Sequence, residues 1–441
     1  MSKPAVYTNC KILDGPRDMV LQENKAIVVQ DGRIAAIVDA KDAPKHAATE
    51  DLKGAYVLPG LINLHAHLPG SGKPMNFGGS TAGAITFLKK LAIGRFVMRQ
   101  LTYKNAKEEF YGGVTTVRAV GGLVNADTAV RDWIASGKKI GPRILAANEA
   151  VSVPHGHMVG TVARAAESVE EAVAMVEDVA GQNPDLIKLM ITGGVLDAPD
   201  VGEPVLRMPP EYVRACCDKA HELGFQVAAH VESTEGVKVA LENGVDTVEH
   251  GAELSPELVR LFQDRNAADI CTISPLVPLI VYGEEILKNP MYVENSVIVG
   301  RGIVRGAREA LRSGIALGLG NDVGCPYITH REYWRELFYF NRWVTFDPKL
   351  TLHIATLGNA KIVGIDGETG SLEPGKCADF LAVKDNPLED LRALRNPVLV
   401  VARGNAVHNP PYNVPKETQD LLDKCLDAEL PGNLEAQFEL E

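Results

Sequence analysis

The sequence predicts an α/β fold, a (β/α)8 TIM barrel that carries a small β-sandwich built from both chain ends. Three observations predict it. Eight short apolar runs between about residues 61 and 321 alternate with helical stretches. Short strands with turn signals stand at each end of the chain. The 441 residues are 46% hydrophobic, enough for the core of a barrel, which commonly runs past about 250 residues as one unit. An open doubly wound sheet gives the same alternation and is the competing architecture.

The elements follow in order. From Val6 to about Val57 the pattern is short strands and turns. Lys25-Ala26-Ile27-Val28-Val29 and Arg33-Ile34-Ala35-Ala36-Ile37-Val38 flank Asp31-Gly32, a hairpin signal. After Leu58-Pro59-Gly60 the rhythm changes. Strands are predicted at about 61–66, 114–120, 143–149, 186–192, 226–231, 247–250, 268–274 and 316–321, with helices between them such as Ser168 to Val179, Pro210 to Leu223 and Gly302 to Ser313. Past about residue 362 short strands return in Ala378–Val383 and Pro397–Asn405. The expected organisation is a sandwich from 1–58 and 362–410, a barrel over 59–361, and a polar, proline-bearing 411–441 that forms a surface tail or an oligomer contact.

Composition narrows the function. A net charge of −12 argues against nucleic acid or an anionic membrane as partner, and leaves a small substrate open. Seven scattered cysteines, at 10, 216, 217, 271, 325, 377 and 425, form no C-x-x-C pair and no disulfide framework. The first residues lack an apolar signal region, and no run of 18 apolar residues occurs. The expectation is a cytoplasmic homo-oligomer.

The chemistry is concentrated in Leu61-Ile62-Asn63-Leu64-His65-Ala66-His67. A strand repeats its facing every two residues, so His65 and His67 project to one side. Two imidazoles at a strand end make half of a first-row metal site, or they simply pack. Barrel enzymes place catalysis at the C-terminal ends of their strands. Those positions hold His65 and His67 after the first strand, His155 and His157 after the third, Lys188 on the fourth, His230 on the fifth, His250 on the sixth and Asp322 on the eighth. The histidines at 46, 221, 330, 353 and 408 are read as structural or surface groups. Thr192-Gly193-Gly194 either turns backbone N–H groups towards a ligand or only makes the turn. Glu232, two residues after His230, either faces the site and holds a cationic substrate group or is a solvated loop residue. Among the loops at 68–83, 195–209 and 323–331, which carry Asn76, Asp197, Asp200, Glu203, Tyr327 and His330, Arg207 or Arg331 can meet a substrate carboxylate or stay a surface charge.

The ordered set of His-x-His, Lys, His, His and Asp resembles the amidohydrolase superfamily, in its prolidase-like and imidazolonepropionase-like branch. The resemblance runs from the N-terminal strands through Pro59-Gly60-Leu61-Ile62-Asn63-Leu64-His65-Ala66-His67 to Gly370-Ser371-Leu372-Glu373-Pro374-Gly375-Lys376-Cys377-Ala378-Asp379. It implies a binuclear site for two divalent metal ions, zinc fitting the ligands best. His65, His67 and Asp322 would hold the first and His230 and His250 the second, with Lys188 bridging as a carbamate formed with carbon dioxide. An ammonium between two dications would be repelled, whereas the carbamate is an oxygen-ended anion. A water shared by two metals has its pKa lowered towards ~7, and Asp322 is the natural general base for its attack.

Relatives usually carry Gly-Gly-His-Gly after the third strand, its histidine facing the substrate carbonyl. Here the run is Pro154-His155-Gly156-His157-Met158, so both histidines align in part and His157 is favoured. Arg118 matches a family arginine and is read as a substrate-binding residue, but the usual following aspartate is Ala119. The resemblance implies hydrolysis of an amide in a dipeptide (Xaa-Pro or Xaa-Arg/Lys type) or an N-acyl amino acid. Cyclic-amide hydrolysis, as in imidazolonepropionases, is the alternative. Single-metal deaminases show His-x-x-Glu after the fifth strand, whereas His230-Val231-Glu232 places the glutamate one position early.

Overall fold

The computed structural model describes residues 4–73, 82–197, 200–287 and 289–427. Asn76 and residues 428–441 lie outside them. Strands from both chain ends form one eight-stranded sheet. Ala5–Leu13, Leu21–Gln30, Arg33–Asp39, Ala48–Asp51 and Tyr56–Pro59 come from the N-terminal side, and Phe380–Val383, Leu399–Ala402 and Asn405–His408 from the C-terminal side. The hairpin at Asp31-Gly32 closes on the pair Gln30 and Arg33. Both turn residues have positive φ, 51° and 79°, the backbone of a two-residue turn that matches strand twist. The two ends meet where Tyr56–Pro59 pairs antiparallel with Phe380–Val383.

The expected sandwich is instead a single curled sheet. Ile34 N–H donates to Lys376 O (2.9 Å), and Arg33 bridges to Cys377, which brings the edge strand back beside the approach to Phe380. The inward side chains, including Tyr7, Ile12, Ile27, Val57, Phe380 and Val401, fill the hollow. Curling buries them without a second sheet.

The eight strands predicted between residues 61 and 321 are all present. They are β1 (Leu61–Ala66), β2 (Val114–Ala119), β3 (Arg143–Ala146), β4 (Leu186–Met190), β5 (Gln226–Val231), β6 (Thr247–His250), β7 (Ala268–Cys271) and β8 (Ala316–Leu319). Pairing is parallel throughout. β1–β2–β3 form one sheet, and β4 to β8 form a second together with Ala150–Ser152 and Ala163–Ala165. Near-continuous apolar sequence is what a parallel strand covered on both faces needs; β1, β2 and β4 are buried at every residue. The sheets approach each other at both edges. Asp185 N–H donates to Ala146 O (2.8 Å), and Asp322 N–H donates to His65 O (3.0 Å). A Cβ on Gly320 would lie 2.5 Å from His65 N, so only glycine lets β8 come this close to β1.

Helices fill the connections. Val169–Ala180 starts where expected because the Ser168 side chain accepts from Glu171 N–H, a cap that contributes about 1 kcal/mol. Pro290–Arg312 is longer than the stretch predicted from Gly302. The expected tail is a docked helix in its described part, Lys416–Asp427, with Leu422, Cys425 and Leu426 buried. Arg335 donates to Leu422 O and the Asp423 carboxylate, and Arg395 also reaches Asp423. Its polar composition misled because arginines elsewhere in the chain satisfy it. No helix among the described residues is long and apolar enough to cross a membrane.

Candidate metal centre

His65, His67, Lys188, His230, His250 and Asp322 converge at the C-terminal ends of the parallel strands. All six are buried. The imidazole rings of His65 and His67 lie 5.4 Å apart, His65 and His250 4.6 Å, and His230 and His250 4.7 Å. Two sets of potential ligand atoms each fall within 4.8 Å of one another: His65, His250 and Asp322, and His230, Glu232 and His250.

Each imidazole is held by one nitrogen and presents the other. His65 Nδ1 meets Glu249 Oε2 (2.8 Å), His67 Nδ1 meets Gly121 O (3.0 Å) and His250 Nδ1 meets Thr272 Oγ1 (2.7 Å). His230 is held in reverse, by Nε2 to Gly193 O (3.0 Å). Fixing one nitrogen sets ring orientation and leaves the other for a cation, the usual support for a metal-bound histidine. Burial, reinforced by neighbouring positive groups, pushes the His230 and His250 rings well below their ordinary pKa. They are therefore neutral, as metal ligation requires.

The centre of the cluster lacks something. Asp322 Oδ1 lies 3.4 Å from His65 Nε2 and 3.2 Å from His67 Nε2, yet has no hydrogen-bond donor. Lys188 Nζ is buried with no hydrogen-bond partner. Burial pushes its pKa down to about 8, with Arg118 acting in the same direction and Glu249 and Asp322 opposing. Polar atoms stranded in a buried site are costly unless a further group satisfies them. Divalent cations fit this donor set. Backbone strain marks the same place: His250 and Asp322 adopt left-handed φ of 71° and 52° at their strand ends. Such conformations cost about 1–3 kcal/mol each and persist where surroundings impose them.

The sequence reading missed Glu249. It is wholly buried and accepts from His65, from Arg118 Nη2 (2.7 Å) and from Thr247 Oγ1 (2.6 Å). Burial alone would raise its pKa, but Arg118, His65 and Lys188 together hold it well below the carboxylate range. A glutamate inside a predicted core strand was the available signal, since a charge there demands a partner. This pairing also corrects Arg118 as a substrate-binding residue. Its remaining N–H groups donate to Leu64 O and Thr247 Oγ1, so it braces the ligands from beneath.

His155 and His157 separate clearly. His157 stacks on His230 at 4.1 Å and 8°, with Nδ1 2.6 Å from Asp197 Oδ2. Its ring occupies the space a Cβ on Gly194 would need. His155 is exposed, in a left-handed turn at φ 61°, with no contact to the cluster among the described residues. Gly193 and Gly194 do not offer N–H groups to a ligand, because these donate to Val205 O and Asp197 Oδ2. The glycines instead make room for His157 and supply the carbonyl that holds His230. Glu232 is buried beside His230 and His250, its Oε2 accepting from Val195 N–H (3.1 Å). Burial, then Asp322, pushes its carboxyl up to about 8. Arg331 is buried against the Tyr412 ring, whereas Arg207 lies beside Gly193 and donates to Asp197 O.

A parallel α/β scaffold with these groups at its strand ends defines a class, hydrolases that act on carbon–nitrogen bonds. The chain belongs to the amidohydrolase family, whose sequence profile matches residues 56–407, with a NagA composite domain matching residues 6–57. Among solved structures, a candidate prolidase from Bifidobacterium longum is 35% identical, with 96% of this chain and 99% of that one covered at a TM-score of 0.84. A Xaa-Pro dipeptidase with methionine bound in its active site is 28% identical, with 92% and 100% covered at 0.78. The ochratoxinase of Aspergillus niger is 23% identical over 415 residues, 87% of this chain and 82% of that protein.

Proposed function

We propose that this protein hydrolyses a peptide-type amide bond, in a dipeptide of the Xaa-Pro or Xaa-Arg/Lys type or in an N-acyl amino acid. The carrying observation is the convergence of four buried histidines, a buried lysine without a hydrogen-bond partner and Asp322 on one centre. The likeness to a candidate prolidase and to a Xaa-Pro dipeptidase supports the dipeptide reading. We read the two parallel sheets as one closed (β/α)8 barrel, supported by the hydrogen bonds that join them at both edges.

His65, His67 and Asp322 would hold one divalent cation and His230 and His250 a second, zinc suiting imidazole and oxygen donors. Lys188, carboxylated by carbon dioxide, would bridge them. Bound cations supply positive charge that acidifies water and polarises the scissile carbonyl. The chain's own groups do the rest. Asp322 takes a proton from the attacking water and delivers it to the leaving nitrogen. His157, aligned by Asp197 and by stacking on His230, donates from Nε2 to the oxygen on which negative charge develops. Glu232 receives the free ammonium of the substrate.

A substrate panel tests this. Dipeptides with a free amino terminus should be hydrolysed with kcat/KM roughly tenfold or more above their N-acetylated forms, since the substrate ammonium favours the ionised form of a carboxyl that burial otherwise holds neutral and then pairs with it. Glu232→Gln should remove that preference while cation content holds. Equal losses on both substrate types, together with a lost cation, would show that Glu232 is a ligand of the second metal instead.

We also propose self-association through the helices Ala82–Lys90 and Ala92–Tyr111. Phe87, Ile93, Phe96 and Val97 are all more than half exposed, and the last three fall on one helix face. Contiguous exposed apolar surface of this kind marks an interface. Replacing Phe96 and Val97 together by Asp should lower the mass measured by analytical ultracentrifugation to that of a monomer; a wild type already monomeric at micromolar concentration would refute the proposal.

A further inference from the structure

A cavity of about 830 Å³ lies at the other end of the strands from the metal centre. Gln226, Thr247, Ala268 and Ala316, the first residues of β5 to β8, line its base. Gln226 precedes His230 by four residues of strand, roughly 13 Å at about 3.3 Å each, so the two sites are distinct. The volume falls within the range of small-molecule sites.

Its chemistry is two-sided. Ile315, Leu317 and Ile362 give an apolar wall, and Arg17, Arg265 and Lys361 stand around it. Neither the Arg17 nor the Lys361 side chain has a hydrogen bond or ion pair among the described residues, and Arg265 spends one N–H on Glu242 O. The carboxylate in the lining, Asp246, is already engaged by Val227 N–H (2.7 Å) and His221 Nε2 (2.8 Å). His353 offers its free ring edge while Nδ1 meets Gly15 O, and burial together with Lys361 and Arg17 pushes its pKa down. Three cations around one cavity stand out on a chain of net charge −12.

We propose that this cavity is a second ligand site, for an organic anion with an apolar body, either a carboxylate or a phosphate monoester on a short alkyl chain. The apolar portion covers Ile315, Leu317 and Ile362, and the anionic head meets Arg17 and Lys361, whose exposed charges otherwise face solvent.

Isothermal titration of the metal-loaded full chain tests it, with octanoate and hexyl phosphate as separate probes and inorganic phosphate as the head alone. Saturable one-site binding of at least one amphiphile is expected, at least tenfold tighter than inorganic phosphate. Octanoate binding alone identifies a carboxylate site, and hexyl phosphate binding alone a phosphate site. The double variant Arg17→Ala with Lys361→Ala should bind at least tenfold more weakly, and so should Ala316→Phe, which fills the cavity. Both variants should keep the wild-type melting temperature and hydrolyse amides normally without the probe. No binding to the wild type would overturn the proposal. So would undiminished binding to both variants, which would place the anion at the metal centre.

Discussion

Asp322→Asn is expected to lower kcat by at least about 100-fold, towards the 10⁴-fold end of the range for a lost acid–base group, with little change in stability. The amide matches the carboxylate in shape but cannot take a proton from water and return it to the leaving nitrogen. Asparagine also tolerates the left-handed φ of 52° at this position, so the backbone is not the reason for the loss. Asp322 is held from two sides, with Oδ1 facing His65 and His67 and Oδ2 accepting from Cys325 Sγ at 3.1 Å. Contact with the two histidines overrides burial and keeps its pKa well below the usual range, so it stays ionised. Because the side chain also reaches the first cation site, metal content must be measured on the same sample. A variant with both cations and near-normal kcat would assign the proton to another group.

Lys188→Ala is expected to remove most activity and to lower cation content from about two per chain, with partial recovery on adding acetate or propionate. The basis is a buried amine with no hydrogen-bond partner, within electrostatic reach of His230, His250, Glu249 and Asp322. Carbamate forms from the neutral amine. With its pKa pushed down to about 8 by burial, roughly a tenth of this lysine is neutral at pH 7, against less than about one in a thousand for an ordinary lysine near 10.4. The sign follows: reloading of metal-free protein with zinc at a fixed concentration of dissolved carbon dioxide should speed up as pH rises towards 8 and level off above it. Full activity in Lys188→Ala, or a free ammonium beside two bound cations, would defeat the assignment.

What the sequence made legible is what repeats along a strand. Two-residue alternation is enough to put His65 and His67 on one side of β1. The positions of Lys188, His230, His250 and Asp322 followed from the rule that barrel chemistry sits at strand ends. Pairings across the fold stayed hidden. Nothing local says that Glu249 braces His65, that Arg118 is consumed beneath it, or that Asp197 aligns His157. His155 and His157 share the same sequence neighbourhood, and stacking on His230 separates them. The terminal strands were equally visible, but whether they form two layers or one curled sheet depends on contacts such as Ile34 to Lys376, far apart in the chain. Helix Lys416–Asp427 was hidden because its docking depends on Arg335 and Arg395.

The pairing of Tyr56–Pro59 with Phe380–Val383 imposes an order on biosynthesis. A ribosome adding about 5–20 residues per second needs on the order of tens of seconds to make the stretch between those two strands. Throughout that interval the emerged amino-terminal hairpins hold an unpaired edge, a template for pairing with a neighbouring nascent chain. The edge left by Tyr56–Pro59 can close only once Phe380–Val383 has been made. A transcript that stops before Ala378 would leave that edge permanently open, which makes late truncation more damaging to solubility than its distance from the metals suggests.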